Sequence, residues 1–384
     1  MKIKRKKIAY ISGTRADFGI MKSILKSIDR SPKLELQLYV TGIHLTSGFG
    51  STFREVQKEF SQTRSIKVTF DSDDFGGVAK FLGKFSTKLV EAFTQNRPDF
   101  VLVLGDRPEE LCVATVCLYL GIPTGHFRGG EMTSTFDEIA RHANTKLCSL
   151  HFAATPESAQ RIEKMGEEKW RIHTVGDASL DIILNEKLPS QEELFGLLKL
   201  DTKKRVILVT QHSVSYEMED AGRQMGETLE AVKKFNLPVV IIYPNADAGG
   251  RRIIGEIEKE RKNPLFRIFP SLEYKYFLAL EREAAVWVGN SSGAMVESSS
   301  FGTPVINIGT RQMGRQRGAN VIDVGYNKKE IERAIDKSLN NSAYLKRLKK
   351  IKNPWGDGKT GPRVAKILEN IIISPRLLTK QITY

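Results

Sequence analysis

His126-Phe127-Arg128-Gly129-Gly130-Glu131, continued by Thr135-Phe136-Asp137-Glu138 and Arg141-His142-Ala143-Asn144-Thr145-Lys146, follows an apolar run of strand character, Ile122-Pro123-Thr124-Gly125. The stretch turns on two glycines and opens a helix, so several ionisable groups gather at the end of an expected strand, where α/β proteins place their chemistry. Asp137 and Arg141 lie four apart on one helix face, as do Glu138 and His142, a spacing that brings opposite charges together. Thr135-x-x-Glu138 also has the form of a capping box, which gives Glu138 a structural duty at the helix N-terminus. Glu131 and Asp137 have no such duty.

Outward from this stretch the same device recurs. Lys7 to Gly13 is an expected strand, leading through the turn Gly13-Thr14-Arg15-Ala16-Asp17-Phe18-Gly19 to a helix with apolar residues at Ile20, Ile24, Leu25 and Ile28. The turn suits an anion on its free amides, with Arg15 adding a charge-assisted contact. Its glycines, Gly13 and Gly19, are too far apart for a dinucleotide fingerprint, which disfavours an NAD dehydrogenase. Alternation at Leu34, Leu36, Leu38 and Val40 marks a second strand that delivers His44 to a loop, near Gly48-Phe49-Gly50. Expected strands follow at Ile66–Phe70 and Phe100–Leu104, the latter stopping at Gly105-Asp106-Arg107. A helix from Glu109 to Leu120, then strands at His151–Thr155 and Arg171–Gly176, complete a first half in which strand and helix alternate, the pattern of a parallel, doubly wound sheet.

Pro189 and a run of charged residues place a link near residue 184, after which the alternation restarts. Arg205–Thr210 ends at Gln211-His212, and Pro238–Tyr243 ends at Pro244-Asn245-Ala246-Asp247. Ala285–Gly289 runs into Asn290-Ser291-Ser292-Gly293 and a helix carrying Glu297, a turn whose amides and two hydroxyls suit a diphosphate, with Glu297 placed to accept ribose hydroxyls. Thr303–Gly309 leads to Arg311, Arg315 and Arg317, cations suited to an anionic ligand. The predicted architecture is therefore α/β, with two Rossmann-like domains, 1–183 and 184–360, and a ligand held in a cleft between them.

The 384 residues are 40% hydrophobic and 27% charged, as in a globular protein, with a net charge of +14. The basic excess is dispersed over Lys2 to Lys7, Lys203-Lys204-Arg205 and Lys346 to Lys352 without the interleaved aromatic residues of a single-strand platform, so no nucleic-acid partner is expected. No apolar run approaches the 18 or so residues of a membrane span, and the basic opening does not lead into a signal-peptide core. A cytoplasmic address and no membrane partner are expected. Cys112, Cys117 and Cys148 form no CxxC pair and suit packed thiols, not a disulfide framework or a zinc site.

Taken together, the motifs resemble the hydrolysing UDP-N-acetylglucosamine 2-epimerases of sialic- and legionaminic-acid biosynthesis and their relatives acting on UDP-diacetylbacillosamine. The matching stretches are Ser12 to Asp17, Gly105-Asp106-Arg107, Gly129-Gly130-Glu131, Asp137-Glu138-x-x-Arg141-His142-Ala143-x-Thr145-Lys146, Gly289-Asn290-Ser291-Ser292 and Phe301 to Gln312. The resemblance implies a glycosyltransferase-B-like fold, with a C-terminal helix at about 361–384 crossing back to the first domain, and a homodimer or homotetramer. It implies a UDP-sugar substrate and no cofactor or metal: UDP is lost across C1 and C2 to give a 2-acetamidoglycal, and water adds with inversion at C2. By resemblance Asp106 and Asp137 are acid/base candidates, His212 and Arg15 meet the diphosphate, and Ser291, Ser292, Glu297 and Arg311 hold UDP. Asn245 and Arg107 lie nearby, and His44 lies close to the sugar. Arg128 departs from the pattern, standing where relatives carry a histidine or a catalytic glutamate. An arginine does not trade protons near neutral pH, so a proton-transfer role there passes to Glu131, or Arg128 binds a sugar substituent. Asn144 stands at a helix position that is usually apolar. The alternatives are a non-hydrolysing epimerase or glycosyltransferase of the same fold, or a catalytically altered nucleotide-sugar-binding protein.

Overall fold

A computed structural model describes residues 5–46, 52–72, 74–133, 136–245 and 248–384. Thr135, Gly48-Phe49-Gly50 and Ala246-Asp247 lie outside the described residues. The chain forms two compact units, one of residues 1–131, 136–185 and 355–384, the other of residues 132–135 and 186–354.

Among the described residues the first unit holds seven strands: β1 (Lys6–Ser12), β2 (Leu34–Val40), β3 (Arg64–Ser65), β4 (Phe100–Leu104), β5 (Thr124–Phe127), β6 (Leu150–Ala153) and β7 (Ile172–Thr174). They pair in the order β3-β2-β1-β4-β5-β6-β7, every pair parallel. β4, Phe-Val-Leu-Val-Leu, is buried throughout, as a central parallel strand covered on both faces must be. Successive side chains take opposite faces. Ile8, Tyr10 and Leu102 pack with Ile24, Leu25, Val364 and Leu368 on one face, while Ala9, Ile11, Val101 and Val103 pack with Phe81, Phe85 and Leu89 on the other. Burial of each large apolar side chain contributes about 1.5–3 kcal/mol.

The second unit repeats the scheme with β8 (Val206–Thr210), β9 (Val239–Ile242), β10 (Phe266–Phe269), β11 (Ala284–Gly289), β12 (Val305–Ile308) and β13 (Val321–Val324), in the parallel order β10-β9-β8-β11-β12-β13. In both sheets the strand order reverses beside the first strand of the unit, the arrangement of doubly wound nucleotide-binding folds. No helix among the described residues is long and apolar enough to cross a membrane.

Three features differ from the sequence expectations. The strand expected at Ile66–Phe70 is instead the two-residue β3, because pairing with β2 covers only Arg64 and Ser65. The strand expected at 122–125 is displaced, since β5 pairs Thr124 to Phe127 with Val101 to Leu104 and so draws His126 into the sheet. The return to the first unit comes at Trp355 and not after residue 360, because Asp177 N–H bonds the Trp355 carbonyl at 2.8 Å and Thr360 N–H bonds Asp181 Oδ1 at 2.8 Å. The C-terminal end binds back by helix Thr360–Asn370 and by Arg171, which donates to the carbonyls of Leu377 at 3.0 Å and Thr379 at 2.6 Å. All three cysteines are buried free thiols, and burial pushes Cys148 up to about 12.

Candidate active site

At the carboxyl end of β4, Gly105 has φ +71°, a conformation that a side chain disfavours, and it turns Asp106 off the sheet. The Gly105 carbonyl accepts two hydrogen bonds, from His126 Nε2 at 2.8 Å and from Asn144 Nδ2 at 3.0 Å. Burial lowers the His126 pKa to about 3, so the ring is neutral and its Nε2 carries the donated hydrogen. Asp106 itself accepts from Arg141 Nη2, and Nη1 of the same guanidinium donates to the Glu131 carbonyl at 3.1 Å. One arginine thus joins the Asp106 turn to Glu131, whose side chain is 2% exposed. Asp137 lies in the first turn of helix Phe136–Leu147, half-buried, one helical turn before Arg141, and Glu138 pairs with His142 at 3.4 Å. Arg107 turns back to Glu109, with Nε 3.3 Å from Oε2.

Arg128 follows β5 with φ +59°, unusual for a residue with a side chain. Its guanidinium makes a two-pronged bond to Asp177, Nε to Oδ2 at 2.7 Å and Nη2 to Oδ1 at 2.9 Å. Asp177 Oδ1 also accepts from Ser179 N at 3.0 Å and Ser179 Oγ at 2.6 Å. Burial pushes the Asp177 carboxyl up, but Arg128 and the Ser179 donors outweigh it and hold the carboxyl below its ordinary range. The charge at position 128 is therefore balanced within the unit.

The turn after β1 differs from the expectation of free amides. Asp17 Oδ2 accepts from Gly13 N at 3.0 Å and Thr14 N at 2.8 Å, and Asp17 completes a capping box with Thr14. Burial raises Asp17 to about 6, opposed by the Ser12 hydroxyl and the Gly13 amide. Arg15 stands at the start of helix Arg15–Asp29, 2.6 Å from Glu55. His44 is fully enclosed, with Nε2 2.8 Å from Ser12 Oγ and Nδ1 against the Thr52 hydroxyl, and burial lowers it to about 4. It props the β1 and β2 turns, with both ring nitrogens engaged by hydroxyls.

In the second unit, His212 follows β8 and Asn290 follows β11. Asn290 Oδ1 accepts from His212 N at 2.7 Å and Asn290 Nδ2 donates to the His212 carbonyl at 3.0 Å, so one side-chain amide locks the two turns. His212 Nδ1 accepts from the Asn245 backbone N–H at 3.1 Å, which puts the hydrogen of the neutral ring on Nε2. Asn245 itself is exposed. Gly289, at φ +137°, is held so close to the first strand that a Cβ there would lie 1.9 Å from the Thr210 carbonyl oxygen. Arg311 Nη1 at 3.1 Å and Gln312 Nε2 at 3.0 Å both donate to the Asn290 carbonyl. Ser291 precedes the five-residue helix Ser292–Val296 without using its hydroxyl as a cap, and both serines are half-buried. Glu297 follows this helix, 4% exposed, and its Oε1 accepts from the Tyr274 hydroxyl at 2.7 Å.

Asp106, Glu131, Asp137 and Arg128 thus lie at the carboxyl edge of the first sheet, and His212, Asn245, Ser291, Ser292 and Arg311 at that of the second. The sequence reading missed Asp177 and the duties of Asn144, Asn290 and Tyr274. Asp177 had a signal: Val175-Gly176-Asp177 repeats the apolar-Gly-Asp strand ending of Leu104-Gly105-Asp106.

The family model described as UDP-N-acetylglucosamine 2-epimerase matches residues 26–369. The UDP-N,N'-diacetylbacillosamine 2-epimerase (hydrolyzing) of Legionella pneumophila is 35% identical over 376 residues, 98% of each chain. The UDP-N-acetylglucosamine 2-epimerase of Neisseria meningitidis serogroup B is 34% identical over 334 residues, 87% of each chain. Among solved structures, a Neisseria meningitidis UDP-GlcNAc 2-epimerase bound to UDP-GlcNAc aligns with TM-score 0.79 at 19% identity, covering 94% of this chain and 99% of that one.

Proposed function

From the premise that this chain belongs to the UDP-N-acetylglucosamine 2-epimerase family and is a nucleotide-sugar 2-epimerase, we propose that it is of the hydrolysing kind. It takes UDP-N-acetylglucosamine or UDP-N,N'-diacetylbacillosamine, and releases UDP and the free 2-epimeric sugar for nonulosonic-acid biosynthesis. The first step removes the C2 proton while the C1–O bond breaks, its electron pair leaving with UDP. The second adds water to the resulting glycal, hydroxyl at C1 and a proton at C2 from the opposite face.

Two proton-transfer groups and a set of donors for the diphosphate are required. Asp106, Glu131 and Asp137 supply the first, His212 and Arg15 the second, with Arg107, Asn245, Ser291, Ser292, Glu297 and Arg311 around the nucleotide. The observation that carries this reading is the Arg141 side chain, which binds the Asp106 carboxylate and the Glu131 backbone together and so holds two acidic residues beyond the ends of the neighbouring strands β4 and β5. Arg128, bonded to Asp177, supports the loop and leaves proton transfer to the acids.

Incubation with each UDP-sugar, followed by NMR of the products, tests the proposal. Free UDP with a reducing 2-epimer is expected. A UDP-linked epimer without free UDP indicates the non-hydrolysing reaction instead, and UDP binding without turnover of either sugar indicates a binding protein.

A further inference from the structure

Helix Tyr274–Glu283 carries a carboxyl group with no evident counter-charge. Glu281 is fully buried, and no hydrogen-bond donor reaches either of its oxygens. Among the described residues, the charged group that acts on it is Glu297, close enough to share a hydrogen bond. The other charged groups of this helix and of the elements packed on it are engaged elsewhere. Lys275 pairs with Glu186 at 2.6 Å, Arg282 with Glu283 at 2.7 Å, and on helix Gln191–Leu198 Glu193 accepts from the Tyr276 hydroxyl at 2.5 Å. β8 and β11, which back the helix, carry no charged side chain.

Two adjacent carboxylates enclosed in protein do not both stay ionised, and a carboxyl group donates a hydrogen bond only when protonated. The Tyr274 hydroxyl donates to Glu297 Oε1 at 2.7 Å whereas no donor reaches the Glu281 side chain, so negative charge is better stabilised on Glu297 than on Glu281. Glu281 is then the acid, and burial together with the Glu297 charge raises its pKa well above the ordinary carboxyl range.

We propose that Glu281 is a positioning residue that holds a proton and donates it to Glu297, so that Tyr274 and Glu281 together aim the Glu297 carboxylate at the vicinal hydroxyls of a nucleoside ribose. This rests on the reading that Glu297 meets the nucleotide. Loss of the shared proton leaves two buried anions in contact, which drives Glu297 out of position, so nucleotide binding weakens under alkaline conditions.

The test uses the full chain and its Glu281→Gln and Glu281→Leu variants. The glutamine keeps a donor without a titrating proton, and the leucine keeps neither. Calorimetric titration with UDP and with 2'-deoxy-UDP from neutral to alkaline pH, together with infrared spectra of the carboxylic-acid carbonyl stretch, reads both halves of the proposal. The wild type is expected to show the acid stretch, to prefer UDP over its 2'-deoxy analogue, and to lose affinity at alkaline pH. Glu281→Gln is expected to lose one component of the stretch, since buried Glu110 is also held well above the ordinary carboxyl range, and to keep the preference and flatten the pH dependence. Glu281→Leu is expected to lose about tenfold in UDP affinity with most of the preference, the scale of one hydrogen bond to a charged group. An acid stretch that Glu281→Gln leaves unchanged, or a glutamine variant with the wild-type alkaline loss, overturns the shared proton. A wild type that shows the stretch but binds no UDP overturns the nucleotide reading, and with it the positioning role.

Discussion

At the carboxyl edge of the first sheet, acids meet arginines contributed from far along the chain, Asp106 with Arg141 and Asp177 with Arg128. At the same edge of the second sheet, the turns are held by neutral amides, Asn290 bridging to His212 and Gln312 donating to the Asn290 carbonyl, while behind them two acids, Glu281 and Glu297, face each other. The same strand order supports opposite electrostatics. Asp177 is buried among donors and held as an anion, whereas Glu281 is buried without donors and held as an acid. Burial alone does not set the charge of a side chain; the donors around it do.

The sharpest way to break the first half of this comparison is Asp106→Asn, which keeps the shape and removes the proton acceptor. Epimer formation is expected to fall by about 10²–10⁴-fold, the usual worth of one acid/base group, with UDP affinity little changed. Next comes the buried ion pair. Asp177→Ala breaks the two-pronged, largely buried pair with Arg128 and is expected to cost about 3–5 kcal/mol in urea unfolding. Arg128→Glu places a second carboxylate against Asp177 and is expected to destabilise the fold. Wild-type stability in either variant contradicts the pairing.

Smaller effects test the supports. Asn144→Leu removes one of two donors to the Gly105 carbonyl and leaves His126 in place. Stability is expected to change by under about 1 kcal/mol while kcat falls severalfold, read by unfolding and steady-state kinetics. The histidines bring a pH dependence. His44, His126 and His151, buried and lowered to about 4, 3 and 4, bind fewer protons folded than unfolded between those values and the ordinary 6.5. Stability is therefore present above pH 6.5 and lost as pH falls toward 4, by up to about 1.4 kcal/mol per pH unit for each group. Glu281 has the opposite sign. Its raised pKa means that the folded state binds more protons, so its contribution is full below the ordinary carboxyl range and is lost as pH rises through the raised value. Glu281→Gln is expected to match the wild type in acid and to melt higher at neutral and alkaline pH.

Strand existence was legible because central parallel strands are continuous apolar runs, and Phe100 to Leu104 reads the same in sequence and structure. β13, Val-Ile-Asp-Val with half-exposed residues, lies too close to ordinary loop composition to be singled out. The positions of Asp106, Glu131 and His212 at strand ends were legible for the same reason, since each follows an apolar run. Their partners were not. Arg128 and Asp177 are 49 residues apart, and nothing local in either stretch reports the bond. His44 stands in an expected loop, and nothing local in the sequence reports that Ser12 and Thr52 close around its ring.

The central claim is proton exchange at C2 by acids gathered beyond the ends of β4 and β5. Turnover of each UDP-sugar in D2O, with NMR of the recovered product, tests it most directly. The account predicts one deuterium at C2 of the released 2-epimer, in step with free UDP, and its near-abolition in Asp106→Asn. Product that retains hydrogen at C2, or an Asp106→Asn protein that exchanges as fast as the wild type, contradicts it.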